Sequence, residues 1–211
     1  MNDAVLHKQI AYYRARAHEY DAAVPLGPTP GLHLLQEMGP FDQVLELACG
    51  TGIWTQALLS LGREITAVDA APEMLEINAR KVADTRVRYQ RADLFTWEPD
   101  QQYDLVFFSF WLSHVPPDAL DAFLDTVRRA VRPGGYLVIV DQDIPTQEHR
   151  LVAQDDIHAL RRTSDGRTFT IVKVFYELTT LEDRLTHLGF EVTVHRLGDV
   201  LFFLSGRRAE R

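Results

Sequence analysis

From Gln43 onward, short apolar runs alternate with amphipathic stretches, and each change of period predicts a change of element. Val44 to Ala48 reads as a strand and Ile53 to Leu61 as a helix stopped by Gly62. Glu64 to Asp69 reads as a strand, and Pro72 to Val82 as a helix with proline in its first turn. Val87 to Arg91 and Tyr103 to Phe110 are strands. The second is almost wholly apolar, as a strand covered on both faces must be. Asp118 to Val131 is a helix closed by Arg132-Pro133-Gly134-Gly135, and Tyr136 to Val140 is the next strand. Strands alternating with helices predict an α/β, doubly wound, mostly parallel sheet with helices on both faces.

The two ends differ from this middle. Asp3 to Tyr20 places Ile10, Tyr13, Ala17 and Tyr20 at helical spacing. Pro25, Gly27, Pro28, Pro30 and Gly31 then make a linker, and Leu32 to Met38 a short helix. Gln142 to Asp165 is polar and irregular, while Phe169 to Tyr176 is apolar and β-branched. Leu181 to Leu188 is a helix stopped by Gly189. Phe190 to Leu197 and Val200 to Ser205, separated by Gly198 and Asp199, predict an antiparallel hairpin that ends a seven-stranded sheet. Residues 1–211 read as one domain, with 1–40 as a helical lid and 142–178 as an insertion covering a substrate.

Composition changes this picture only by exclusion. The chain has 211 residues, 46% hydrophobic and 25% charged, which is ordinary globular usage. One cysteine, Cys49, excludes a disulfide framework and a four-cysteine zinc site. With 22 basic and 30 acidic residues the net charge is −8, which gives no support for nucleic acid as a partner. No apolar run reaches the roughly 20 residues of a membrane span, and Met1 to Tyr20 lacks a signal-peptide core. The expected location is cytoplasmic, with no membrane partner; a homodimer is left open.

Candidate chemistry begins at Glu46-Leu47-Ala48-Cys49-Gly50-Thr51-Gly52, where the first strand turns into a helix. Glycines there permit positive φ and close approach of a ligand to the backbone. A dinucleotide fingerprint would need a third glycine, but Thr55 occupies that position. Glu46 beside the loop would repel a pyrophosphate and suits a ligand with a cationic end. Asp69 and Asp93 follow at the ends of the next two strands. Each alone reads equally well as a cap or turn residue. Together with the glycine turn they converge on the crevice where such sheets bind nucleosides.

Leu45 to Gly52, Val68-Asp69-Ala70-Ala71-Pro72-Glu73-Met74-Leu75, Ala92-Asp93-Leu94, Tyr103-Asp104-Leu105-Val106 and Arg132-Pro133-Gly134-Gly135 resemble, in order, the motifs of class I S-adenosylmethionine-dependent methyltransferases. The resemblance implies a Rossmann-like fold and S-adenosylmethionine as cofactor, with S-adenosylhomocysteine as product. It implies that Gly50 and Gly52, with Glu46 nearby, meet the methionine part and that Asp69 holds the ribose. Ala70 and Met74 would line the adenine pocket, where Asp93 takes the amino group and Leu94 gives a backbone contact. Tyr12 to Asp21 resembles the tyrosine-rich entry helix of small-molecule members, in which Tyr13, Arg16 and Tyr20 would help enclose the sulfonium or its carboxylate.

The acceptor chemistry is expected in Ser109 to Pro116, which leaves the fourth strand at its carboxyl end. Phe110 is assigned to the cofactor, Trp111 and His114 to the substrate, and His114 is the candidate general base for an oxygen acceptor. A carboxylate acceptor would need no base, and His114 would then only orient it. Arg150, Arg161, Arg162, Arg167 and Lys173 offer a clamp for an acidic acceptor, with plain surface charge as the alternative. The acids and histidines from Asp141 to His158 match no tight metal-ligand spacing, so no metal is assigned. The expected function is methyl transfer to a small-molecule acceptor at hydroxyl or carboxylate oxygen. The alternatives are N-methylation and a non-catalytic subunit that binds the cofactor.

Overall fold

A computed structural model describes residues 3–23 and 30–210. The predicted linker residues Pro25, Gly27 and Pro28 lie outside them. The helices are α1 (Asp3–Arg16), α2 (Tyr20–Ala23), α3 (Leu32–Gln36), α4 (Ile53–Leu58), α5 (Pro72–Val82), α6 (Leu120–Ala130), α7 (Gln147–Val152) and α8 (Leu178–His187). The strands are β1 (Phe41–Leu47), β2 (Gly62–Asp69), β3 (Val87–Arg91), β4 (Tyr103–Ser109), β5 (Val131–Gln142), β6 (His158–Arg162), β7 (Thr168–Val172), β8 (Phe190–Leu197) and β9 (Leu201–Arg208). Short 3-10 turns follow α1 (Ala17–Glu19) and β4 (Leu112–His114).

Seven strands form one sheet in the order β3-β2-β1-β4-β5-β9-β8. Pairs from β3 to β5 are parallel, and β9 enters antiparallel between β5 and β8. Alternate residues of each strand feed opposite faces. Val106 and Phe108 of β4 join Leu45 and Leu47 of β1 in a core closed by Phe123, Leu124 and Val127 of α6 and Leu181 and Leu185 of α8. Leu105 and Phe107 join Val44, Ile65 and Val138 in a second core, closed by Leu35 of α3 and Trp54 and Leu58 of α4. Both faces are covered, which is why β4 carries no polar alternation from Leu105 to Phe108.

The order reverses between β1 and β4, so the crevice of this doubly wound sheet opens above the carboxyl ends of those two strands. Two differences from the sequence reading matter there. Residues 142–165, expected to be irregular, contain α7 and β6, and β6 pairs antiparallel with β7 as a separate two-stranded sheet. His158-Ala159-Leu160-Arg161-Arg162 lacks an apolar run, so its strand is imposed by β7 and by the turn at Thr163–Gly166 rather than by its own pattern.

The second difference is in α1. Its buried stripe is Leu6, Gln9 and Tyr12, while Ile10, Tyr13 and, beyond its end, Tyr20 are only half-buried; Ala17, just past α1, packs with Ala71 and Met74. The stripe packs on β7, and the half-buried residues look into the crevice. Among the described residues no helix is long and apolar enough to cross a membrane.

Candidate active site

The turn after β1 holds three left-handed residues: Ala48 at φ 52°, Gly50 at 52° and Gly52 at 89°. The two glycines answer to different constraints. A Cβ at Gly50 would meet nothing within 4 Å, so its missing side chain leaves open space on the crevice side. A Cβ at Gly52 would collide with Asn78 Oδ1 and lie 2.6 Å from Asn78 Cγ. Gly52 therefore lets the start of α4 approach α5. Ala48 and, at the end of β4, Phe110 (φ 51°) are non-glycine residues held at positive φ beside the crevice, a placement that costs on the order of 1 kcal/mol or more each.

Asp69 fixes the turn from above. Its Oδ2 accepts the Gly50 N–H at 2.9 Å and its Oδ1 accepts the Ala71 N–H at 2.8 Å. Burial pushes its carboxyl above the usual range while these N–H groups pull it back. From below, Asn78 Nδ2 donates to Gly50 O at 3.3 Å and to Thr55 Oγ1 at 2.9 Å, and Tyr89 donates to Asn78 Oδ1 at 2.9 Å. Thr55 donates in turn to Glu46 Oε2 at 2.6 Å. Burial pushes Glu46 up to about 8, against the hydrogen bond from Thr55.

These elements line a cavity above the carboxyl ends of β1 and β4, where sheets of this topology bind small molecules. Of the residues singled out in the sequence, Tyr13, Tyr20, Gly50, Asp69, Ala70, Met74, Asp93, Leu94, Phe110, Trp111 and His114 line it. Arg16, Glu46 and Gly52 do not. Arg16 lines an adjoining cleft, with its guanidinium 5.7 Å and 5.3 Å from the ring centres of Tyr12 and Tyr20. Glu46 lies under the glycine turn, and Gly52 packs on Asn78. Asp93 also makes the turn expected of it, accepting the Phe95 N–H at 3.0 Å.

Leu6, Gln9, Ile10, Ala48, Ala71, Phe95 and Ser109 line the cavity too and were not singled out. Gln9 did leave a signal, as a polar residue in phase with the apolar stripe of α1. The N-terminal helices are tied to α5 by a two-pronged Arg14–Glu73 pair (2.9 and 3.0 Å) and by Asp21, which accepts from Lys81 at 2.7 Å; Asp21 also accepts from Thr51 of the glycine turn.

His114 stands where the cavity and the adjoining cleft meet, and lines both. Its Nδ1 lies 2.7 Å from Val172 O, a carbonyl that only accepts, so Nδ1 carries the proton. Its Nε2 lies 2.7 Å from the Tyr13 hydroxyl, which donates to it. Burial, with Lys173 nearby, pushes the imidazole down to about 3, so the ring is neutral. Beyond it, the cleft carries Arg16, Arg161, Arg162 and Lys173 against Glu19 and Glu148. Lys173 is held by Ser113 Oγ at 2.9 Å, over the ring of Phe175.

The acids of the insertion are dispersed. Asp141 accepts the Ser113 N–H, Asp143 pairs with Arg196, Asp155 pairs with His158, and His149 caps α7 through Thr146. Among the described residues no three such groups converge as a metal site.

Residues 44–135 match the profile of the methyltransferase-domain family. The chain is 37% identical to a solved structure of DhpI in complex with SAH, over 100% of both chains, with a TM-score of 0.84. It is 38% identical to a DhpI-SAM-HEP complex, over 98% of this chain and 99% of that one, with a TM-score of 0.87. The chain belongs to the class I S-adenosylmethionine-dependent methyltransferases. A malonyl-[acyl-carrier protein] O-methyltransferase of Serratia marcescens is 34% identical over 145 residues, 65% of this chain and 54% of that protein. The chain spans about half the length of such curated relatives.

The cavity suits the family's cofactor on its own geometry. Gly50 leaves a cradle that a Cβ would fill, the Asp69 carboxylate faces in, and Ala70, Met74 and Leu94 form an apolar slot.

Two outcomes follow. Gly52→Ala should destabilise the fold by about 2 kcal/mol or more, from the clash with Asn78 and the unfavourable φ; denaturant unfolding measures it, and a neutral result would contradict the packing role. Asp69→Ala should weaken S-adenosylmethionine and S-adenosylhomocysteine binding by about 1–3 kcal/mol in titration calorimetry, with reduced nicotinamide as the non-binding control. Unchanged affinity would remove Asp69 from the ribose.

Proposed function

We propose that this methyltransferase transfers the methyl group of S-adenosylmethionine to an oxygen atom of a small acidic molecule. The observation that carries this reading is the wall formed by Tyr13 and His114, with the cavity over the glycine turn on one side and a cationic cleft on the other. Bound in the cavity, the cofactor supplies an electrophilic methyl on its sulfonium. Asp69 would hold the ribose, and Ala70, Met74, Asp93 and Leu94 the adenine. Gly50, Tyr20 and Phe110 would surround the methionine end, and Trp111 would face the acceptor. Arg16, first assigned to the cofactor, fits the acceptor side better, since it lines the cleft with Arg161, Arg162 and Lys173.

In-line alignment of acceptor and methyl supplies most of the acceleration in such a transfer. An acid already ionised at neutral pH needs no base. This bears on the two roles of His114. A neutral imidazole pushed down to about 3 is a weak proton acceptor for an alcohol. An anion in the cleft would offset the Lys173 and Arg161 charges, but burial, the largest cause, would remain. Orientation, through the Tyr13 hydroxyl held on Nε2, is the role the environment favours. A structural relative complexed with SAM and HEP together supports a site for the cofactor plus a second ligand, and a sequence relative named an O-methyltransferase supports an oxygen target.

Two measurements test the reading. The active form of His114 is neutral and is lost only as pH falls through its depressed value near 3, so kcat should show no limb at the ordinary imidazole value of 6.5. A limb there that vanishes in His114→Ala would restore the general base. Across a panel of small acids and matched neutral analogues, methylation should favour acids, and Arg161→Gln should raise the acceptor KM about 10–100-fold, as for loss of a charge-assisted contact, with cofactor affinity unchanged. Equal use of neutral acceptors would overturn the acidic substrate class.

A further inference from the structure

The backbone around His114 is completed by a side chain from the far end of the chain. Beyond β7, the Val174 N–H donates to Ser113 O at 2.8 Å, which joins this segment to the turn carrying His114. Lys173 N–H points the other way, to Ile157 O. The next inward-facing N–H, that of Val172, finds no backbone partner among the described residues. The amide of Gln9 takes that place: its Oε1 accepts the Val172 N–H at 3.0 Å, and its Nε2 donates to His114 O at 3.3 Å. Val172 O receives the Nδ1–H of His114 at 2.7 Å. The three contacts form a closed cycle in which the Gln9 amide substitutes for a peptide group. Gln9 and Val172 are each 2% exposed, so both bonds are shielded from bulk water.

We infer that Gln9 is a positioning residue for methyl transfer, holding the His114 peptide and β7 in the register that fixes the Nδ1–H tautomer and aims Nε2 at Tyr13 on the boundary of the two cavities. The inference rests on the proposed function for its catalytic consequence, but the register and the tautomer stand without it. Tyr13 lies four residues further along α1, one turn on, so docking of that helix delivers the residue that sets the histidine and the one that meets it.

Two variants separate positioning from space filling. Gln9→Ala removes both bonds. Gln9→Glu keeps the shape; its introduced carboxyl, when protonated, accepts from Val172 N–H and donates to His114 O, and when ionised loses the donor. Nitrogen-15 NMR of the histidine rings in the ligand-free protein reads the tautomer. The wild-type protein should show a single Nδ1–H form of His114. Gln9→Ala should show mixed or broadened signals, and Gln9→Glu a native signal at acid pH that is lost as the introduced carboxyl ionises.

With an acceptor in hand, kcat in Gln9→Ala should fall about 10²-fold, the scale of a misplaced group, while cofactor affinity changes only a few-fold. The Gln9→Glu variant should recover kcat on acidification, where wild type does not change. An unaltered His114 signal in Gln9→Ala, or no pH-dependent loss in Gln9→Glu, would overturn the inference. If Gln9→Ala fails to fold, the Gln9→Glu titration decides alone. A tautomer change in a protein that methylates no acceptor would retire the proposed function and leave the positioning role standing.

Discussion

The carboxylate of Asp69, bridging the N–H of Gly50 at the end of one strand and that of Ala71 at the start of α5, is the contact on which the binding edge of the sheet depends. Parallel strands leave their connections free to wander once they pass the carboxyl edge. Here the turn after β1 and the turn after β2 share one acid, so neither moves without the other. The acid therefore has two tasks in one position. It shapes the turn, and it presents its remaining lone pairs to the cavity.

Beneath that turn lies a polar chain in an otherwise apolar layer: Tyr89 to Asn78, Asn78 to Thr55, Thr55 to Glu46. Such a network is tolerated because its members find partners; a buried polar group without one costs about 1–3 kcal/mol. Glu46 is the exception in charge, and burial favours its protonated form up to about pH 8. Its unfolded value is near 4.5, so the folded state holds an extra proton between those limits, and the network loosens as pH rises through them. An acid that the sequence suggested for a ligand's cationic end serves first as a support for the loop.

The middle of the chain was legible because local pattern and final environment agree there. Leu105 to Phe108 are apolar because both faces of β4 are covered, and Gly50, Asp69 and Asp93 sit where strand ends must converge. The insertion was not legible, since His158 to Arg162 becomes a strand only by pairing with β7. Gly52 was expected to meet the ligand, and the structure adds a second demand that spacing could not reveal, since its missing Cβ clears Asn78 of the neighbouring helix. Arg16 was expected at the cofactor and lines the adjoining cleft, beside a wall whose existence depends on Tyr13 and His114 meeting across 101 residues of sequence. Gln9 was not singled out in the sequence, and its partners lie 105 and 163 residues away.

Those separations bear on how the molecule is made. The buried stripe of α1 is covered by β7, which leaves the ribosome only after most of the central sheet has been synthesised. Until then the first helix has its apolar side chains and the Gln9 amide unmatched, while β1 to β5 already supply one another's partners. Vectorial synthesis thus favours the sheet first and the cover last. The nascent chain acquires its cofactor-binding edge well before it can shut that edge from water. A ligand present during synthesis would meet an open groove, and the closed cavity would form around it.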